Sequence, residues 1–270
     1  MLIYFKATFN TKFKTGDNLT SKKRIHTIDE IRGFCVFCMV FFHCFFTYGY
    51  MFGNEFAKNL FDFFEHISFL FSATFILICG ISCRLSRNNF LRGSKIIGAA
   101  LCVTLVTLIV MPDMPITFGI LHLLGSCVLI YSLVGRFTDK IPVIPGVAVC
   151  FLLFIVAYNM PEGRYIGFGD LRLDLPSKLY ESDFLMMFGF LPEGKAYSDY
   201  FPLIPYIFPF FAGTFIGKFA KEERFPKFMY KARIKPLSVL GRNAFFVYLI
   251  HQPLAYGVFY LISLIGGVKL

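Results

Sequence analysis

Two residues of the first apolar segment could take part in chemistry, because ionisable groups are costly in an apolar environment unless they have a role there. In RIHTIDEIRGFCVFCMVFFH, at positions 24–43, Arg32 opens the apolar run and His43 lies near its far end. If this run is α-helical, the step of eleven residues advances the chain by roughly 16 Å and about three full turns. The spacing therefore places a cation and an imidazole on one helix face, about half a bilayer apart.

Three further histidines lie in or beside apolar segments. His122 occurs in FGILHLLG, His66 follows an acidic residue, and His251 in YLIHQP precedes Pro253, which kinks a helix. We predict that His43 and His122 are the candidate general bases, because neither has a charged neighbour in sequence and imidazole suits this role. His66 is expected to be solvated. For His251, a helix-to-helix hydrogen bond and a substrate contact both remain open.

Asp29 and Arg32 stand three residues apart at the beginning of the same segment. They could form an i,i+3 ion pair that anchors the end of the helix. An arginine that faces the same side as His43 is also what a polyanion-binding mouth needs. If Arg32 serves only as an anchor, the basic loop that contains Arg84 and Arg92 is the next candidate for the polyanion.

The elements that carry these residues are predicted to be membrane spans. The chain of 270 residues is 56% hydrophobic and contains 37 Phe, and its mean hydropathy of +0.64 exceeds that of a soluble domain. A large soluble α-domain does not account for apolar stretches that recur at spanning length. We predict an all-α integral membrane protein, a bundle of about seven transmembrane helices, with spans at about 31–50, 66–83, 95–111, 116–134, 142–158, 203–219 and 243–264.

Charge placement predicts the orientation of the bundle. If the N-terminus is cytoplasmic, 21 of the 27 Lys and Arg residues fall in inner segments, as basic loops do in membrane proteins. We therefore predict a cytoplasmic N-terminus and an external C-terminus, which places His43, His66 and His122 towards the outer side. The net charge of +10 then reflects anionic lipid at the inner face, and nucleic-acid binding is not needed to explain it.

The chain is expected to form one domain over 24–270, preceded by a polar, disordered cytoplasmic head at 1–23. The connection at 159–202 is long, turn-rich and acidic, which is typical of a lid or binding element. All eight cysteines fall in or at the edges of predicted spans, so packing is favoured over disulfides or a zinc site. No metal site is predicted.

Five segments, in order, carry a resemblance to a known family. They are TIDEIRGFCVFCMVFFH, FILICGISCRLSR, FGILHLLG, DYFPLIPY and LGRNAFFVYLIHQP. They resemble the successive signatures of the heparan-alpha-glucosaminide N-acetyltransferase catalytic-domain family in its short bacterial form, from about residue 24 to 262. Arg32 and His43 are also similar to the Arg-x10-His pattern in the first span of the related acyltransferase type 3 proteins.

The resemblance implies a multi-pass enzyme of the bacterial cytoplasmic membrane that uses acyl-CoA, acetyl-CoA above all, from the cytoplasmic side. The acyl group would pass to an amine or hydroxyl of an extracytoplasmic sugar or glycolipid. Coenzyme A would be bound at its phosphates by charge-assisted hydrogen bonds, and His43 or His122 would act as general base. The residues assigned to coenzyme A are Arg32, Asp29, Arg84 and Arg92, and those assigned to the acceptor are Asp199, Tyr200 and His251.

The resemblance leaves several alternatives open. The acceptor could be a glucosamine, another cell-envelope sugar or a lipid-linked precursor, and a homo-oligomer is compatible with the sequence. The rival interpretation is a polytopic transporter of a small polar or anionic solute, which would also keep ionisable residues in its spans. Against it, seven spans without an internal repeat do not divide into two matching halves. A non-catalytic scaffold would leave the clustered histidines unexplained.

Overall fold

The structure is a computed structural model that describes residues 23–194 and 198–266. Within this part of the chain, seven helices are long and apolar enough to cross a membrane. The predicted all-α membrane bundle is therefore confirmed. The predicted head at 1–23 lies outside the described residues, except for its last residue, and its disorder stays a prediction.

Short connections join most pairs of successive helices. The long ones are α1 His26–Phe46, which continues as a π-helical turn Thr47–Met51, α2 Glu55–Cys83, α3 Asn89–Val110, α4 Ile120–Thr138, α5 Val143–Ala157, α6 Leu203–Lys221 and, after the short helix α7 Lys235–Arg242, the last helix α8 Ala244–Gly266. We call the end of the bundle where α1 begins the basic end, and the opposite end the histidine end.

The second helix is longer than its hydropathy predicts. It begins at Glu55, eleven residues before the predicted beginning of the span at residue 66, so that boundary was wrong. The side chain of Asn54 accepts a hydrogen bond from the backbone N–H of Ala57 (2.9 Å) and caps this end. The first turns carry charged residues that lower the local hydropathy without breaking the helix. His66 consequently lies about three turns inside α2 and not at its end.

The connection at 159–202 contains the only strands of the described chain. A single helical turn Met160–Gly163 leads into an antiparallel hairpin of β1 Tyr165–Phe168 and β2 Leu171–Asp174, followed by two 3-10 turns. The segment then returns to the bundle, where the Phe201 N–H donates to the carbonyl of Phe118 (3.0 Å). The segments before α4 and before α6 therefore meet at the histidine end.

Backbone-to-backbone contact joins α2 to α6 at the centre of the bundle. A Cβ atom at Gly80 would overlap the carbonyl oxygen of Phe210, and one at Gly213 would overlap that of Leu77. Glycine at both positions lets the two helices approach more closely than any side chain would permit. The main apolar core lies beside this contact and includes the fully buried Leu123 of α4.

A second pair of glycines joins α7 to the beginning of α1. A Cβ atom at Gly33 would overlap the carbonyl of Leu237, and one at Gly241 would overlap the carbonyl of Asp29. The Glu30 carboxylate accepts the two backbone N–H groups just before α7, at 2.6 and 2.9 Å. The basic loop at 218–242 is thereby fixed to the same end of the bundle as the first residues of α1.

Candidate active site

A cavity of about 800 Å³ lies between α1 and α2 and extends to the segment at 198–201. Cys35 and Val36 line it one helical turn beyond Arg32, and His43 lines it farther along α1. On the other sides it is closed by Tyr248 of α8 and by residues from the ends of α4 and α5. Residues of α1 therefore border the cavity from Cys35 to Phe46, whereas Arg32 lies one turn outside it, and the predicted roles of Arg32 and His43 stay predictions.

The imidazole of His43 faces that of His251 across α1 and α8. Their ring centroids are 4.9 Å apart. The backbone carbonyl of His43 accepts the hydroxyl of Thr47 (2.8 Å), but its ring makes no hydrogen bond within the described part of the chain. His43 is therefore available to a bound molecule in the cavity that it lines.

The tautomer of His251 follows from its surroundings. Its Nδ1 lies 2.6 Å from the carbonyl oxygen of Tyr248, and since a carbonyl only accepts, this nitrogen carries the proton. The Nε2 atom is then an acceptor, and it is buried with no partner among the described residues. The next residue, Gln252, donates to the hydroxyl of Thr47 (3.1 Å) and holds α8 against the turn that ends α1.

Asp199 joins three elements at the histidine end. Its Oδ2 accepts the hydroxyl of Tyr248 (2.6 Å) and, more distantly, the N–H of Ile120 at the beginning of α4 (3.4 Å). Asp199 also lines the cavity. Burial raises the pKa of this carboxyl to about 6, although the Tyr248 hydroxyl, the Ile120 N–H and nearby His251 each oppose the shift. Asp199 is thus a carboxyl group whose charge changes near neutral pH.

His122 lies close to this cluster but does not line the cavity. Its Nδ1 accepts the N–H of Gly119 (3.2 Å), which caps α4. Its Nε2 lies 3.1 Å from the hydroxyl of Thr104 on α3, and that hydroxyl donates to the carbonyl of Ile116 (2.7 Å). Both ring nitrogens are therefore engaged in joining α3 to α4. This geometry favours a structural role, and the prediction of His122 as general base stays a prediction.

Two other predicted groups lie on the cavity wall. His66 is exposed, and its Nδ1 contacts the backbone carbonyl of Asp62 (2.7 Å); its predicted solvation stays a prediction. The hydroxyl of Tyr200 donates to the carbonyl of Met186 (2.6 Å), which ties the returning segment to the preceding 3-10 turn. Tyr200 therefore helps to fix the backbone beside Asp199. Its predicted contact with the acceptor stays a prediction.

At the basic end, Arg32 bonds to two helices. One guanidinium nitrogen lies 3.2 Å from Oδ1 of Asp29, and another donates to the hydroxyl of Ser82 on α2 (2.6 Å). Asp29 also accepts from Arg24 (2.6 Å). The anchoring ion pair considered from the sequence thus exists, and the Arg32 side chain still keeps 20% of its surface exposed. An anchor and an anion-binding group are compatible in this geometry.

The other two predicted arginines differ in how many of their hydrogen-bond donors already bond to the protein. The buried guanidinium of Arg84 bonds to the Thr214 carbonyl (2.9 Å), to the Thr138 hydroxyl (3.1 Å) and to Asp139, joining α2, α4 and α6. Among the described residues, the Arg92 guanidinium hydrogen-bonds only to two thiols, including that of Cys79 (3.4 Å). Arg92 therefore has more donor capacity to offer an anion than Arg84.

Sequence reasoning did not identify Tyr248 as part of the site. The sequence YLIH could have indicated it, because Tyr248 precedes His251 by three residues and residues three apart on a helix share a face. The pairing of His43 with His251 had no comparable signal, since it depends on α8 lying beside α1. The described residues contain no group of three or more metal-ligating side chains.

Seven helices that are long and apolar enough to cross a membrane, with a partly polar cavity between two of them, define a multi-pass membrane protein. The chain belongs to the family described as heparan-alpha-glucosaminide N-acetyltransferase, catalytic, whose sequence profile matches residues 24–253. It is therefore a member of a family of membrane acetyltransferases. No curated protein and no solved structure shows significant similarity to it.

Proposed function

We propose that the protein transfers an acetyl group from cytoplasmic acetyl-CoA to an amine or hydroxyl of an extracytoplasmic sugar or glycolipid. The observation that carries this proposal is the cavity along α1, which begins one turn beyond Arg32 and reaches His43 and Asp199. Coenzyme A has phosphates at one end and a thioester at the end of a long arm. A site for it needs a cation and a proton acceptor far apart, and this helix face provides both.

The donor would be held from the basic end. Arg32 would bind phosphate through charge-assisted hydrogen bonds, oriented by Asp29, while Arg92 would contribute a second cation nearby. The pantetheine arm would follow α1 past Cys35 towards His43. Arg84 has the weakest case among the predicted arginines, because its donors already bond to neighbouring helices.

The chemistry is a direct transfer. The acceptor amine or hydroxyl attacks the thioester carbonyl while His43 accepts its proton. The tetrahedral intermediate then collapses, the carbon–sulfur bond breaks, and the departing thiolate receives the proton. His251, which lies against the His43 ring but does not line the cavity, would orient that imidazole, and the carboxylate of Asp199 would stabilise positive charge on the imidazole pair.

The orientation rests on the distribution of basic residues. With the basic end in the cytoplasm, Arg32 faces the compartment that supplies acetyl-CoA, and the histidine end faces the acceptor. The same orientation fits the cytoplasmic membrane of a bacterium. In this orientation only the acyl group would cross the membrane, because the donor stays on the cytoplasmic side and the acceptor on the outer side.

Purified protein incubated with acetyl-CoA tests the proposal. We expect acetyl-CoA to raise the unfolding temperature, since a ligand that binds only the folded state stabilises it. Desulfo-coenzyme A, which keeps the phosphates but cannot carry an acyl group, should stabilise the protein and inhibit transfer. Labelled acetyl-CoA should in addition yield labelled acceptor or free acetate. A protein that no form of coenzyme A stabilises would favour the transporter interpretation.

A further inference from the structure

Aromatic side chains form most of the cavity wall between α1 and α2. Phe37, Phe41 and Phe45 of α1 face the cavity together with Phe64, Phe71 and Phe75 of α2, among others. A soluble sugar presents hydroxyl groups that this wall cannot hydrogen-bond, so the wall would be poorly matched to it. An alkyl chain, in contrast, would fill the space at no cost in lost hydrogen bonds.

The wall is continuous with the outer surface of the bundle. Phe37 and Phe41 lie near the middle of α1, yet they are 44% and 47% exposed. Part of this exposed surface faces the cavity that both side chains line. Phe34, one turn earlier on the same helix face, does not line the cavity and is 45% exposed, so at this depth it faces lipid. The cavity therefore reaches the lipid-facing side of α1.

The polar part of the cavity carries carboxylates and no described cation other than histidine. Glu65, Glu162 and Asp199 line it with His43 and His66. None of the lining residues within the described ranges is Lys or Arg, although the whole chain has a net charge of +10. This end would attract an amine, accept an uncharged sugar and repel a phosphate or carboxylate.

We infer that the acceptor is anchored in the bilayer by an alkyl chain that enters between α1 and α2. Its head group, an amine-bearing or uncharged sugar, would lie beside His43 and Asp199. The chain would exclude water from the thioester and so reduce hydrolysis of the donor. This inference rests on the proposed function, for which it names the class of acceptor.

Proteoliposomes containing the full chain and labelled acetyl-CoA provide the test. Methyl β-glucosaminide and dodecyl β-glucosaminide have the same head group and differ in the chain. We expect the wild type to acetylate the dodecyl compound with the higher kcat/KM. Dodecyl β-glucuronide, which has the same chain and an anionic head, should compete at least tenfold more weakly than the glucosaminide.

The dodecyl compound could react faster only because it concentrates in the lipid. Two variants distinguish this effect from recognition of the alkyl chain by the cavity. Phe41→Ser alters the cavity wall, whereas Phe63→Ser alters a residue of α2 that is 67% exposed and does not line the cavity. In identical vesicles, we expect Phe41→Ser to lower the dodecyl-to-methyl ratio of kcat/KM at least fivefold. Phe63→Ser should leave this ratio at the wild-type value. Stabilisation by coenzyme A would show that both variants are folded.

Several results would overturn the inference. These are an unchanged ratio in a folded Phe41→Ser protein, an equal fall in the Phe63→Ser control, or equal competition by the glucuronide. Hydrolysis of acetyl-CoA without transfer to either glucosaminide would also overturn it while leaving donor use intact. Failure of any form of coenzyme A to bind the wild type would instead contradict the proposed function itself.

Discussion

The rings of His43 and His251 lie 4.9 Å apart, although they belong to the first and the last spanning helix. Neither Nε2 of His251 nor the ring of His43 has a hydrogen-bond partner within the described residues. Two neutral imidazoles that face each other with free nitrogens can hold one proton between them or one polar ligand. Of the two, only His43 lines the cavity, so His43 is the better-placed proton acceptor for a bound molecule and His251 contacts it from outside the cavity wall.

Replacing either imidazole should therefore affect the chemical step. We expect His43→Ala to lower kcat by about 10²–10⁴ while the affinity for coenzyme A stays near that of the wild type. His251→Ala should act in the same direction. If the two act as a unit, the double variant will lose little more than the worse single one. Single-turnover rates and coenzyme A binding measure both effects.

His66 provides the matched control, because it lies on the cavity wall but is exposed and bonds to its own helix. His66→Ala should leave both rate and affinity unchanged. Wild-type turnover in His43→Ala and His251→Ala, under conditions where chemistry limits the rate, would contradict the imidazole mechanism.

His122→Ala should behave differently, because His122 joins α3 to α4. The change leaves the Gly119 N–H without its acceptor and removes the contact with Thr104. Losses of this kind cost about 1–3 kcal/mol, which should appear as a lower unfolding temperature. A stable variant that lost turnover by about 10² or more would instead support His122 as the general base.

The raised pKa of Asp199 should make the stability of the folded protein depend on pH. Its pKa of about 6 in the folded protein exceeds its ordinary value of 3.8, so the folded state binds the proton more strongly than the unfolded state. The contribution of this group to stability is therefore greatest at low pH and falls as the pH rises from about 4 to 6. Between pH 5 and pH 7 the loss should be about 1–2 kcal/mol.

Asp199→Asn keeps an acceptor for the Tyr248 hydroxyl but cannot ionise. Unfolding curves of wild type and variant at pH 5 and pH 7 cancel the effects of all other titrating groups. We expect the wild type to lose more stability than the variant over this interval. Parallel changes in the two proteins would show that Asp199 does not titrate there.

Arg32→Ala should weaken binding of coenzyme A by roughly ten- to a hundredfold, the effect of losing one charged hydrogen bond. Arg24→Ala is the matched control, because Arg24 bonds to the same Asp29 but its side chain is 52% exposed. The control should bind coenzyme A within about twofold of the wild type. Equal affinity in Arg32→Ala and wild type would leave Arg32 as an anchor only and direct attention to Arg92.

The orientation can be measured independently of any activity. A reporter fused after Arg224, in the basic loop, should be found in the cytoplasm. Reporters fused near Lys178 and after Leu270 should be found outside. The reverse pattern would place the histidine end in the cytoplasm and remove the route proposed for the acyl group.

Hydropathy was sufficient to predict the seven spans, because each must be apolar over a fixed length whatever it packs against. It failed at the beginning of α2, where polar residues outside the apolar run continue the helix from Asn54. The register of Arg32 and His43 could be predicted because both lie on one helix. The engagement of His122 with Thr104 could not, since a tertiary neighbour determines it.

Glycine contacts determine which parts of the protein can move. At Gly80 and Gly213 the backbones of α2 and α6 touch, and at Gly33 and Gly241 those of α1 and α7 do. Sliding either pair by one residue would bring a side chain against a carbonyl oxygen. A motion that moved α2 away from α6, or α1 away from α7, would have to break these contacts. Each of these helix pairs is therefore expected to move as one rigid unit.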